Sequence, residues 1–245
     1  MRKLSLMTTI PLLLGCKPDT NTDAPAPSDH HGHGHHHGHE ADPGEVGEHG
    51  YRGHHRFDDP AAWAAEFDSP ERAAWQKPDA VLDSLALDPS SSVADLGAGT
   101  GYFALRFAER VPGGKVYGVD IEPSMVAWLG ERARERGLAN VVAVQGEAHD
   151  PALPDAVDLV FMCNVFHHLA DPQRYFAAVA TKLRAGGRVV IVDFKPDNPD
   201  DAPGPPKAMR MTIAQIRAPM EAAGYRLASS DSELLPWQYV LVFER

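Results

Sequence analysis

Apolar residues from position 93 onward arrive in two alternating rhythms. Short, nearly continuous apolar runs occupy Val93–Leu96, Lys115–Asp120, Val141–Gln145, Asp155–Met162 and Arg188–Phe194. Runs of this length, rich in β-branched residues, read as strands buried on both faces, as in a parallel sheet. Between them lie stretches with helical spacing: Tyr102 onward, Pro123 to about Glu135, Asp171-Pro172-Gln173 through Leu183, and Met211 to Ala223, closed by Gly224. Arg184-Ala185-Gly186-Gly187 is expected to stop the third of these and turn the chain. Tyr225–Ala228 and Gln238–Phe243 supply two last strands, which brings the expected sheet to seven and includes an antiparallel hairpin partner. Strands alternating with helices predict an α/β, doubly wound sheet with helices on both faces.

Ahead of the first strand, proline-led starts at Asp59-Pro60, Ser69-Pro70-Glu71 and Lys77-Pro78-Asp79 predict three short helices, the last running to about Leu87. Their aromatics Trp63 and Phe67 are expected to pack on the sheet. Lys195 to Met209 holds six prolines or glycines in fifteen residues and is expected to be a long loop over the active face.

The chemistry gathers where the first strand ends. Val93-Ala94-Asp95-Leu96 runs into Gly97-Ala98-Gly99-Thr100-Gly101, and a helix follows. Strand, glycine turn and helix form the nucleotide-binding corner of a doubly wound sheet. The dinucleotide fingerprint G-x-G-x-x-G would need a glycine at Tyr102, which disfavours a nicotinamide-dependent oxidoreductase. An acid two residues before the first glycine suits a cationic amino group instead. A strand–turn–helix without a ligand is the plain alternative. Asp120 closes the second apolar run nineteen positions after Gly101, where an acid accepts hydrogen bonds from ribose hydroxyls. Capping the helix from Pro123 is its structural alternative.

The Asp-x-Gly-x-Gly-x-Gly turn, Asp120, Gly146-Glu147-Ala148, His167-His168 past the fourth strand and Leu183-Arg184-Ala185-Gly186-Gly187-Arg188 together resemble the class I S-adenosylmethionine (SAM)-dependent methyltransferases. The likeness spans about Phe57 to Arg245 and is greatest to small-molecule enzymes related to quinone biosynthesis. It implies a Rossmann-like fold with SAM as cofactor. It also implies that Asp95, Gly97, Ala98, Gly99 and Gly101 hold the methionine part, Asp120 the ribose, and Ile121, Glu147 and Ala148 the adenine. Asn164, just past the fourth strand, joins this cofactor set. Glu147 departs from the commoner aspartate. Helices before the first strand cover the cofactor cleft in such enzymes, so residues 51–90 are expected to be a helical lid, 91–245 the SAM-binding domain, and Arg72 a partner for the methionine carboxylate. Trp75-Gln76-Lys77-Pro78 and Leu234-Leu235-Pro236-Trp237-Gln238-Tyr239 resemble a bacterial subgroup of unnamed substrate. His167 is a candidate base for a substrate O–H or N–H, with a hydrogen-bonded structural role as its alternative. Cys163 is expected to be a small core residue.

The chain of 245 residues has room for one such domain and a tail, and its formal net charge of −11 argues against a basic nucleic-acid surface. Residues 1–16 pair Arg2-Lys3 with an apolar stretch and end Leu13-Leu14-Gly15-Cys16, which looks like a bacterial lipoprotein signal. That predicts lipidation of Cys16 as the sole membrane contact and a periplasmic-side location, with the cytoplasm as the alternative. Residues 17–50 read as a disordered tether. They carry His30, His31, His33, His35, His36, His37 and His39, seven imidazoles able to chelate Zn, Cu or Ni. A metal buffer and a plain polar linker both remain open. Export sits awkwardly with a cofactor made in the cytoplasm. The rival reading is therefore an exported metal-handling or ligand-binding lipoprotein with a non-catalytic methyltransferase fold.

Overall fold

A computed structural model describes residues 59–245. The signal-like residues 1–16 and the tether 17–50, with its seven candidate metal-binding histidines, lie outside the described residues. Among the described residues, seven strands form one sheet in the order β3-β2-β1-β4-β5-β7-β6. They are β1 (Val93–Leu96), β2 (Val116–Asp120), β3 (Val141–Gln145), β4 (Val157–Cys163), β5 (Leu183–Phe194), β6 (Arg226–Asp231) and β7 (Gln238–Glu244). The first five pair in parallel, and β7 runs antiparallel between β5 and β6. This is the doubly wound sheet with an antiparallel last hairpin that the apolar runs predict.

Alternation along each strand feeds two cores. Leu159 and Phe161 of β4 join Val93, Phe103, Phe107 and Val190 on one face, while Val160 and Met162 join Phe176, Ile191 and Met220 on the other. Helices α3 (Pro78–Ser84), α4 (Ala104–Arg110) and α5 (Pro123–Glu135) supply the first core, and α6 (Pro172–Ala180) and α7 (Ile213–Ala222) supply the second. With both faces covered, the central strands are largely apolar, and Asp95 of β1 and Asp193 of β5 stand out as buried acids.

Helix α1 (Pro60–Phe67) and helix α2 (Pro70–Gln76) start as their sequences predict. Asp59 Oδ1 accepts from the Ala62 N–H at 3.1 Å, and Ser69 Oγ accepts from the Arg72 N–H at 3.1 Å. Asp68 then ties this segment to the domain. Its carboxylate accepts from Arg132 of α5 at 2.7 Å and from the Thr100 hydroxyl in the glycine turn at 3.2 Å.

Several boundaries differ from expectation, among them the start of β5 at Leu183 rather than Arg188 and the end of β6 at Asp231 rather than Ala228. Helix α3 ends at Ser84 rather than near Leu87. The fourth strand opens at Val157, because Asp155 is drawn out of line to accept from Lys115 Nζ at 3.2 Å and from the Tyr117 hydroxyl. Helix α6 stops at Ala180, because the Val157 N–H takes the Lys182 carbonyl at 2.8 Å and pulls the chain into β5. Arg184–Gly187 form a bulge: Leu183 pairs with Val157 and Arg188 with Leu159, so five positions on one strand match two on the other.

Candidate cofactor and active site

Between β1 and β4 the chain turns to opposite sides of the sheet, and the carboxyl ends of these strands open a crevice. Ligands bind at such a switch point. Gly97, Gly99 and Gly101 all take positive φ there, at 72°, 52° and 89°. At Gly97 a Cβ would also lie 2.3 Å from Val165 Cγ2, so only glycine lets the post-β4 segment close on the turn. The resulting cleft is lined by Gly97, Asp120, Ile121, Glu147, Ala148 and Val165, among others. Four positions expected to hold ribose and adenine are thus brought together.

Asp120 does two jobs. Its Oδ2 accepts from the Gly99 N–H at 2.8 Å and its Oδ1 from the Glu122 N–H at 3.0 Å, so it braces the glycine turn while facing the cleft. Desolvation raises its pKa, and these backbone donors pull it back. Each carboxylate oxygen keeps a second lone pair for a ligand hydroxyl. Ala98 differs from its neighbours: its side chain belongs to the core, which leaves only its backbone to the site.

Asp95 is 3 % exposed, and its Oδ2 is buried with no hydrogen-bond partner among the described residues. Burial pushes its carboxyl up to about 7, against the pull of the Ala104 backbone N–H and of Arg72. Arg72 is held by acceptors on two of its nitrogens: Nε donates to Gln76 Oε1 at 3.1 Å and Nη1 to the Phe67 carbonyl at 2.9 Å. Its guanidinium stacks 4.1 Å from the centroid of Tyr102. Among the described residues nothing accepts from its Nη2. An unpartnered buried carboxylate oxygen near an unpartnered guanidinium nitrogen is the complement of an amino acid's ammonium and carboxylate.

Residues 94–191 match a family model described as methyltransferase domain. A SAM-dependent methyltransferase from Aquifex aeolicus superposes with a TM-score of 0.69 at 27 % identity, covering 76 % of this chain and 97 % of that one. Over residues 94–191 the chain is thus similar to methyltransferase domains. Among curated relatives, a demethylmenaquinone methyltransferase of Thermus thermophilus is 36 % identical over 114 residues, 46 % of this chain and 51 % of the relative. An arsenite methyltransferase of Halobacterium salinarum is 31 % identical over 150 residues, 57 % of this chain and 38 % of the relative. The chain therefore spans about half or less of these two relatives' lengths. SAM is the cofactor of such a domain, and the residues present fit it, from the amino-acid corner at Asp95 and Arg72 to the cleft at Asp120 and Glu147.

Past β4, the fold places His167 in a short 3-10 turn, 5 % exposed, with Nδ1 against the Asp193 carboxylate. Asp193 was not among the expected site residues, although it stands next to the end of the fifth apolar run as Asp95 does in the first. Gln76 and Gln238, both fully buried, were likewise missed as site residues. Asn164, with φ at 61°, accepts from Gln238 through its side-chain oxygen. No cluster of metal-ligating side chains occurs among the described residues.

Proposed function

We propose that the protein is a SAM-dependent methyltransferase acting on a small-molecule acceptor. The observation that carries this reading is the paired vacancy in hydrogen bonding at Asp95 Oδ2 and Arg72 Nη2 beside the glycine turn. Bound SAM supplies an electrophilic methyl group on a sulfonium. In this reading Asp95 accepts from the ammonium and Arg72 donates to the carboxylate, while Asp120 accepts from the ribose and Glu147 meets the adenine side. The protein's main contribution is then alignment and exclusion of water. Where the acceptor must lose a proton, His167 is the proposed base, because Asp193 on Nδ1 leaves Nε2 for the acceptor.

A small molecule is favoured over nucleic acid by the net charge of −11 and by relatives named for demethylmenaquinone and arsenite. The residues that would serve SAM keep their geometry, which weighs against a non-catalytic carrier. The lipoprotein-like stretch ending at Cys16 supports a membrane tether on the periplasmic side, and incorporation of labelled palmitate, lost in Cys16→Ala, tests it.

Calorimetric titration of the full chain with SAM and S-adenosylhomocysteine tests the enzyme reading. Binding that an Asp95→Ala, Asp120→Ala double variant loses supports it. A folded wild type that binds neither ligand sinks it.

A further inference from the structure

A line of buried side-chain amides joins the helical segment to the sheet. Gln76 lies at the end of α2, Gln238 at the start of β7, and Asn164 just past β4. Gln76 Nε2 donates to Gln238 Oε1 and lies 3.4 Å from Cys163 Sγ, and Gln238 Nε2 donates to Asn164 Oδ1. The line begins at Arg72, whose Nε donates to Gln76 Oε1.

The polarity of this line is dictated from one end. A guanidinium only donates, so Gln76 must turn its oxygen to Arg72 and its nitrogen to Gln238. Gln238 must then show oxygen to Gln76 and nitrogen to Asn164. Reversing any single amide would set donor against donor along a line whose two glutamines are fully buried, which is costly. The two stretches that resemble a bacterial subgroup in sequence, around Gln76 and Gln238, are thus the two that meet.

Arg72 gains its aim from this arrangement. The Phe67 carbonyl holds Nη1, Tyr102 supports the guanidinium face, and Gln76 fixes Nε only because its far end is tied to the sheet through Gln238. We propose that Gln76 and Gln238 are positioning residues that aim Arg72 at the carboxylate of the cofactor's methionine end. This rests on the SAM-binding reading above and adds to it the residues that set discrimination for a carboxylate.

The test compares SAM with decarboxylated SAM, which keeps the adenosine, sulfonium and amine and lacks the carboxylate, by calorimetry on the full chain. In Gln76→Leu and Gln238→Leu, affinity for SAM is expected to fall about tenfold or more, the worth of one hydrogen bond to a charged group. Affinity for decarboxylated SAM is expected to hold within about twofold, since Arg72 has nothing to meet there. Gln238→Glu should restore SAM binding, because a protonated carboxyl there shows an oxygen to Gln76 and an O–H to Asn164. Gln76→Met, which keeps the length and loses only the amide, gives the same comparison if leucine prevents folding. Equal losses for both ligands, or no loss for SAM, overturn the inference. A wild type that binds neither ligand overturns the cofactor reading itself, and this inference with it.

Discussion

His167 and Asp193 face each other across the ends of β4 and β5, with Nδ1 of the imidazole 2.9 and 3.0 Å from the two carboxylate oxygens. Both are almost wholly buried, and Asp193 Oδ1 also accepts from the Phe194 N–H at 2.8 Å. Strand alternation sets Asp193 on the face that carries Val189 and Ile191, toward α6 and α7. Asp95 alternates with Ala94 and Leu96 of that core, which sets it toward the opposite face. The pair therefore braces the segment after β4 against β5, whatever proton chemistry Nε2 performs.

That brace predicts an asymmetry between its two ends. His167→Ala strands a buried carboxylate with one backbone donor and is expected to lower the unfolding free energy by about 3–5 kcal/mol. Asp193→Asn keeps an oxygen for Nδ1–H and should cost about 1–3 kcal/mol. Urea unfolding of the full chain measures both. Equal costs, or a loss below about 1 kcal/mol for His167→Ala, would show that the pair is not a brace.

If Asp95 accepts from the ammonium as proposed, it links cofactor binding to pH. Its folded pKa of about 7 lies above its ordinary value of 3.8, so the folded state holds the proton more tightly than the unfolded state does. The stability this contributes is complete below the ordinary value and is lost as pH rises through about 7. Binding of an ammonium has the opposite sign, because it needs the carboxylate ionised. SAM affinity should therefore rise as pH passes upward through about 7, with proton release on binding near that pH. Calorimetry in buffers of different ionisation enthalpy counts the protons. Asp95→Asn should bind weakly with no such pH dependence and should stabilise the free protein above pH 7. Affinity that is flat with pH in the wild type would remove Asp95 from the ammonium.

Asp95, Asp120 and the glycine turn are legible in the sequence because each depends on near neighbours: an apolar run, the acid at or next to its end and the turn after it. Asp193 follows the same rule, but its role depends on His167, 26 positions away, and only the adjacency of β4 and β5 brings them together. Gln76 and Gln238 are 162 positions apart, and their contact depends on β7 running antiparallel beside β5. No local periodicity encodes that. The early end of α6 has the same origin, because pairing of Val157 with the Lys182 carbonyl overrides a helical pattern that extends through Leu183. Short-range signals pick out the proposed cofactor residues, while the residues proposed to aim Arg72 depend on sheet order.

Two glycines separate site effects from fold effects. Gly97→Ala combines φ at 72° with a Cβ 2.3 Å from Val165, which lines the cofactor cleft. It should cost about 1–3 kcal/mol in stability from backbone strain and abolish SAM binding by displacing Val165. Gly114→Ala places a Cβ 1.8 Å from the Ser91 carbonyl at the amino end of the sheet. It should cost about 1–3 kcal/mol by overpacking and leave the SAM affinity of the folded fraction unchanged. Thermal unfolding with and without SAM distinguishes them: SAM should raise the midpoint of Gly114→Ala and not that of Gly97→Ala.

Arg210 holds the loop that follows β5. It is 7 % exposed and donates to the carbonyls of Pro205 at 2.9 Å, Asn198 at 3.1 Å and Pro199 at 3.2 Å, closing the proline-rich segment on itself. Gly204 of that segment packs where a Cβ would lie 2.6 Å from Phe194, whose ring centroid is 5.7 Å from that of Trp75 in α2. The loop is thus fastened at one end by a guanidinium fork and rests on the aromatic contact between sheet and helical segment. Arg210→Lys keeps the charge but not the planar fork, and a single ammonium cannot satisfy the same three carbonyls. Losing one such hydrogen bond, worth about 1.5–3 kcal/mol, should raise the open population of the loop roughly tenfold or more. The Ala202 and Met209 amides, bonded within the loop to the Pro199 and Pro206 carbonyls, should then exchange with deuterium correspondingly faster. Exchange of the buried β4 amides should stay unchanged, because they open only with the sheet. Equal acceleration in both places would mean that Arg210 supports the whole domain rather than the loop.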